Sequence, residues 1–117
     1  MLYMLLIYAD EKEWTAFSEA KHAAVMQDHE RLEADLRAAG KYKHCGALQL
    51  SSSATTVRVR DGKTLVTDGP FAETKEQFGG YYLVDAENLD DALAIAARIP
   101  TARNGSIEVR PVAIHHS

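Results

Sequence analysis

Of the residues able to move protons or hold ions, His29 has the most informative surroundings. Val25, His29, Leu32, Leu36 and Ala39 recur at spacings of four, three, four and three, which places them on one stripe of a helix, while Asp28, Glu30, Arg31, Asp35 and Arg37 fall elsewhere. The imidazole is therefore aimed at whatever that stripe covers. Spacing alone favours a core histidine satisfied by a carbonyl or a water over a functional one. Other combinations are weaker. His22 and His29 stand about 10 Å apart along a helix rising ~1.5 Å per residue, too far to share one ion. His44 and Cys45 are neighbours in a predicted strand and point to opposite faces, which argues against a Cys/His nucleophile made from them. His115 and His116 occupy the terminal tail and read as a frayed end. No spacing predicts a metal site, and none predicts a cofactor.

The second chemically rich stretch is 66–82, which holds Asp68-Gly69-Pro70, Phe71, Glu73, Lys75, Glu76, the pair Gly79-Gly80 and three more aromatics. Glycine accepts positive φ, proline locks its own φ, and the residue before proline is driven from the helical region, so the chain must bend at Asp68 to Pro70. Burying a ring such as Phe71 stabilises by roughly 1.5–3 kcal/mol, so the loop is expected to be pinned. Either Phe71 plugs the core or the loop borders a pocket. Aspartate before glycine commonly does no more than close a turn through its own backbone. Lys75 and Glu76 read as a solvated face, and Tyr81 and Tyr82 as packing residues with one hydroxyl within reach of a cavity. Gly79-Gly80 has no following helix to offer an anion, and a bulge at a strand start explains it better.

The elements that must position these groups follow from local signals. Leu2 to Ala9 is apolar throughout and short, the pattern of a strand buried on both faces. A helix is predicted over His22 to Ala39, stopped by Gly40, with a short helix or turn before it around Trp14 and Phe17. Tyr42 to Leu50 reads as an irregular strand, and Asp61-Gly62 joins two β-rich runs into a hairpin. Gly80 to Asp85 is another strand apolar on both sides. Asn88 caps a helix over Leu89 to Arg98, with Leu89, Ala92, Leu93 and Ala96 as its expected core face, and Pro100 ends it. Ser106 to Val112 is the last strand. The order is a split βαβ arrangement, α+β in class, with two helices on one side of a sheet. Two helices hide one face only, so the other needs a partner or a cavity, and a homodimer is expected.

The string DGPFAETKEQFGGYY, with MLYMLLIY at the start and IEVRP at 107–111, resembles the DGPF branch of the YCII-related family over nearly the whole chain. That resemblance implies a ferredoxin-like fold paired into a dimeric α+β barrel, as in muconolactone isomerase. It also implies a role for His29, which stands eleven residues before Gly40, where relatives place a helix histidine proposed to act with an aspartate. His29 would then be a general acid or base, since an imidazole titrates near neutral pH. The pattern departs after the second helix, where Ile99-Pro100 replaces the Asp-Pro of relatives. The acid must then come from elsewhere; Asp68 is the first candidate and Glu73 the second, with Gly69, Pro70, Phe71, Glu73 and Lys75 lining the substrate pocket at the paired sheets. Two activities are compatible: a lyase- or isomerase-like enzyme, or a non-catalytic binding or regulatory module. Many relatives are encoded beside extracytoplasmic-function sigma factors, which suggests a regulatory partner for the second.

Composition sets the outer bounds. The 117 residues make one domain, 1–117, with 46% hydrophobic and 26% charged residues, as in ordinary globular proteins. Thirteen basic against seventeen acidic residues, with no basic run, argue against nucleic acid as a partner. One cysteine cannot form an internal disulfide, and the start of the chain does not read as a signal peptide, so a cytoplasmic setting is expected. The longest apolar run falls far below the ~20 residues that span a bilayer, so no membrane partner is expected.

Overall fold

The apolar opening run folds as strand β1 (Leu2–Ala9), and the computed structural model, which describes residues 1–114, places it inside a four-stranded antiparallel sheet. His115 and His116 lie outside the described residues. Asp10 caps the short helix α1 (Glu11–Ala16) by accepting from the Lys12 amide. Ser18 caps the long helix α2 (Glu19–Ala38), which starts one turn earlier than its apolar spacing predicts because the cap, and not the stripe, sets the first turn. Gly40 ends it at φ +72°, with the Lys41 amide donating to Leu36 O at 2.9 Å.

Strand β2 (Tyr42–Ala47) stops short of Leu50, because a 3-10 turn at Ser51–Ser53 redirects the chain into a hairpin, β3 (Thr55–Arg60) and β4 (Lys63–Asp68). Asp61 and Gly62 both take positive φ, 53° and 75°, as a tight hairpin turn requires. Strand β5 (Gln77–Asp85) follows, beginning before the expected Gly80, then helix α3 (Leu89–Arg98) and strand β6 (Ser106–Pro111). The sheet order is β2-β5-β1-β6, with every neighbouring pair antiparallel, and the hairpin forms a separate two-stranded sheet. Among the described residues, six strands and three helices make this an α+β fold.

Tyr3 and Leu5 of β1 and Tyr82 and Val84 of β5 point to one face, where they meet Leu32 and Leu36 of α2 and Ala92, Ile95 and Ala96 of α3. Burying each large apolar side chain there stabilises by about 1.5–3 kcal/mol. The face of α3 differs from expectation. Ala92, Ile95, Ala96 and the following Ile99 form the buried stripe, while Leu89 and Leu93 are about half exposed. Several neighbouring stripes of this alanine-rich helix are apolar, so packing against β6 chose the rotation. On the opposite face of the sheet, Met4 and Leu6 stand across from Leu83 and Tyr81, only half buried.

Phe71 does not reach the core. It is 79% exposed, because the hairpin stands away from the main sheet and the loop that leaves it has no core to enter. The hairpin's Val57, Val59 and Val66 share one face and are each about 60% exposed. The radius of gyration, 16.1 Å, exceeds the roughly 13 Å expected of a compact chain this long, which fits a projecting arm.

Candidate functional site

Helix α2 carries His29 over the sheet one turn before Leu32, and β5 brings Tyr82 up beneath it. His29 Nδ1 lies 2.7 Å from the Tyr82 hydroxyl, and the rings stack at 12° with centroids 5.9 Å apart. Burial lowers the His29 pKa from its ordinary value, opposed by the negative charge of Asp28, so the ring is neutral at neutral pH. Burial likewise pushes the Tyr82 hydroxyl up, so it stays protonated. When Tyr82 donates to Nδ1, the ring proton sits on Nε2 as a donor. When Nδ1 carries the proton and donates to Tyr82, Nε2 is left with a lone pair. Among the described residues Nε2 has no hydrogen-bond partner.

Around this pair lies an open cavity of about 860 Å³ between α1, α2 and the ends of β2 and β5. It sits on the face of the sheet that the helices cover, since Tyr82 meets α2 there, whereas the sequence placed the pocket where two sheets pair. Its walls are largely apolar: Trp14 and Phe17 from α1 and its end, Val25 and Met26 from α2, and Leu48 and Leu50 after β2. Gly46, Gly79 and Gly80 line its floor. A Cβ on Gly80 would come within 2.7 Å of Gly46 O, so β2 and β5 approach only without a side chain there, whereas a Cβ on Gly46 would meet the Tyr81 ring on the other face. Gly79 is the extra residue of a bulge, since Ile7 pairs with Gly80 and Tyr8 with Phe78.

Beside His29, a second polar chain closes the inner end of the cavity. The Tyr42 hydroxyl donates to Cys45 Sγ at 3.5 Å, the thiol donates to Glu33 Oε1 at 3.2 Å, and Arg37 Nε lies 3.2 Å from Glu33 Oε2. Burial raises the Cys45 pKa, with the Glu33 carboxylate adding to it, so the thiol stays protonated and is a poor nucleophile. His44 turns the other way and meets the Tyr81 hydroxyl at 2.7 Å, as the strand alternation requires. His22 is taken up by Trp14, with Nε2 2.7 Å from the Trp14 carbonyl. Among the described residues no group of three His, Cys, Asp or Glu side chains could hold a metal ion.

The residues singled out in the sequence are thus divided. His29 lines the cavity; Asp68, Gly69, Pro70, Phe71 and Glu73 do not line it within one chain, and Lys75 borders a smaller cleft of about 230 Å³ with Asp10 and Gln77. Asp68 ends β4 opposite Thr55, and Gly69 is tied to the hairpin base, its amide donating to Ala54 O at 2.7 Å and its carbonyl accepting from Thr56 at 2.8 Å. The partner of His29 is Tyr82, which sequence reasoning treated as packing with a possible reach to a cavity. The signal was the twin glycine before it, which lowers the cavity floor where that hydroxyl emerges.

The YCII-related domain model matches residues 1–114. A protein of Rhizobium meliloti (strain 1021), described as uncharacterized, is 42% identical over 117 residues, covering 98% of this chain and 94% of its own.

Proposed function

The chain belongs to the YCII-related domain family, and from that premise we propose that it transfers a proton on a small molecule, as a lyase- or isomerase-like enzyme with His29 as acid or base. What carries the reading is a neutral imidazole, held at Nδ1 by Tyr82 with Nε2 unpartnered, at the wall of a cavity large enough for a small molecule. Tyr82 is the positioning residue, fixing ring orientation. No cofactor enters the scheme.

The proposal includes a homodimer of ferredoxin-like chains paired as an α+β barrel. Two observations support it: the half-buried apolar face of the sheet at Met4, Leu6 and Leu83, and the bare valine face of the hairpin arm. An isolated two-stranded hairpin is marginal in water, and an apolar one calls for a cover. In this scheme the acid Asp68, with Gly69, Pro70, Phe71, Glu73 and Lys75, serves the cavity of the partner copy, since Asp68 to Glu73 do not line their own. A cytoplasmic setting belongs to the same proposal, supported by the free Cys45 thiol. Among the described residues no helix is long and apolar enough to cross a membrane.

A non-catalytic binding or regulatory module is the second reading, favoured by the absence, among the described residues, of a carboxylate hydrogen-bonded to His29. Incubation with a mixture of cellular small molecules in heavy water, read by mass spectrometry, separates the two. Proton transfer at carbon should wash deuterium into one compound with wild type and leave it unlabelled with His29→Gln. A compound retained by both proteins and labelled by neither would establish the binding module in its place.

A further inference from the structure

The cavity beside His29 carries a charge pattern that proton transfer does not require. Two cations line it: Arg103 Nη2 lies 3.1 Å from Asp28 Oδ2, whereas Lys21 Nζ sits 5.2 Å over the Phe17 ring and, among the described residues, has no carboxylate partner. Some of the carboxylates are also taken up. Glu11 accepts from the Ser51 amide and hydroxyl at 2.7 and 2.6 Å, and Glu33 holds Cys45 and Arg37. Glu13 and Glu30 line the cavity too, and among the described residues neither has a hydrogen-bonded or ion-paired side-chain carboxylate. An anion entering here would meet two unpaired carboxylates, Glu13 and Glu30, against the single unpaired ammonium of Lys21. An ammonium group would be drawn to Glu13 or Glu30, and the indole of Trp14 adds the ring face that attracts cations best.

We infer that the ligand of this cavity is an apolar amine, its ammonium held by Glu13 or Glu30 and its hydrocarbon body laid against Trp14 and Phe17. This rests on the reading that the His29 cavity is the ligand site. Both glutamates are open to solvent, so the attraction is screened, and selectivity over an uncharged analogue is several-fold and salt-dependent.

Trp14 is the only tryptophan in the chain, so its fluorescence reports directly on the cavity. Titration with phenylbutylamine, phenylbutanol and phenylbutyrate at low salt compares one hydrocarbon body under three charges, with the His29 ring followed by NMR. The amine should bind roughly fivefold more tightly than the alcohol, the scale of one screened ion pair, with the carboxylate weakest. In the Glu13→Gln, Glu30→Gln double variant the advantage of the amine should vanish. Any order in which the amine is not tightest, or an order the double variant leaves unchanged, overturns the amine class and leaves the site standing. No response of Trp14 or His29 to any of the three overturns the site itself.

Discussion

His29 and Tyr82, fifty-three residues apart, meet through a 2.7 Å hydrogen bond between Nδ1 and the phenolic hydroxyl, on a face of the sheet where both are shielded. The imidazole gains a fixed ring orientation from this contact and no charge. A carboxylate partner would have held the ring protonated to higher pH; a phenol with a raised pKa does not.

In a single chain, where Asp68 does not reach the cavity, the His29 ring should therefore titrate below the ~6.5 of an unperturbed imidazole. Its folded pKa is depressed, so the unfolded chain binds the proton first on acidification. Stability at neutral pH should then fall as pH drops from about 6.5 toward the folded pKa and level off below it. Urea unfolding between neutral and mildly acidic pH checks the slope, which His29→Gln should flatten. In a monomeric variant, Asp68→Asn should leave the NMR titration of His29 where it was. A His29 pKa above the reference would show that a carboxylate does reach it.

Phe71→Ala should cost less than about 1 kcal/mol in the stability of a single chain, because a side chain already 79% exposed has little buried area to lose. A core phenylalanine would cost roughly 3–5 kcal/mol. Denaturant titration at low protein concentration isolates the single-chain value. A larger loss that grows with protein concentration would place the ring against a partner copy.

The hairpin valines offer a direct test of assembly. Val57→Lys with Val66→Asp puts two charges, of opposite sign across the strand pair, on a face that is open in one chain, so the circular dichroism spectrum should change little while sedimentation equilibrium moves from dimer to a 12.9 kDa monomer. Leu5→Asp should instead abolish folding, since Leu5 has no exposed surface. A wild-type protein that sediments only as monomer, or a double variant that stays dimeric, would remove the hairpin from the interface.

Element order was legible in the residues because its signals are local. The cap at Asn88, the stop at Gly40, the turn at Asp61-Gly62 and the break at Pro100 act on the φ and ψ of their own and adjoining residues. The helical stripe was equally legible up to its direction, and His29 does face the sheet with Leu32 and Leu36. What lay beyond the sequence was every relation set by register between distant segments. Which of two adjacent tyrosines meets His29 depends on the bulge at Gly79, since a one-residue slip sends every side chain of a strand to the other face. The burial of Phe71 depends on whether the hairpin lies over the sheet or stands off from it. The buried stripe of α3 depends on what β6 presents to it. Local dihedral preferences decide the elements, whereas side-chain partnership is decided by the docking of elements whose apolar faces could meet in more than one way.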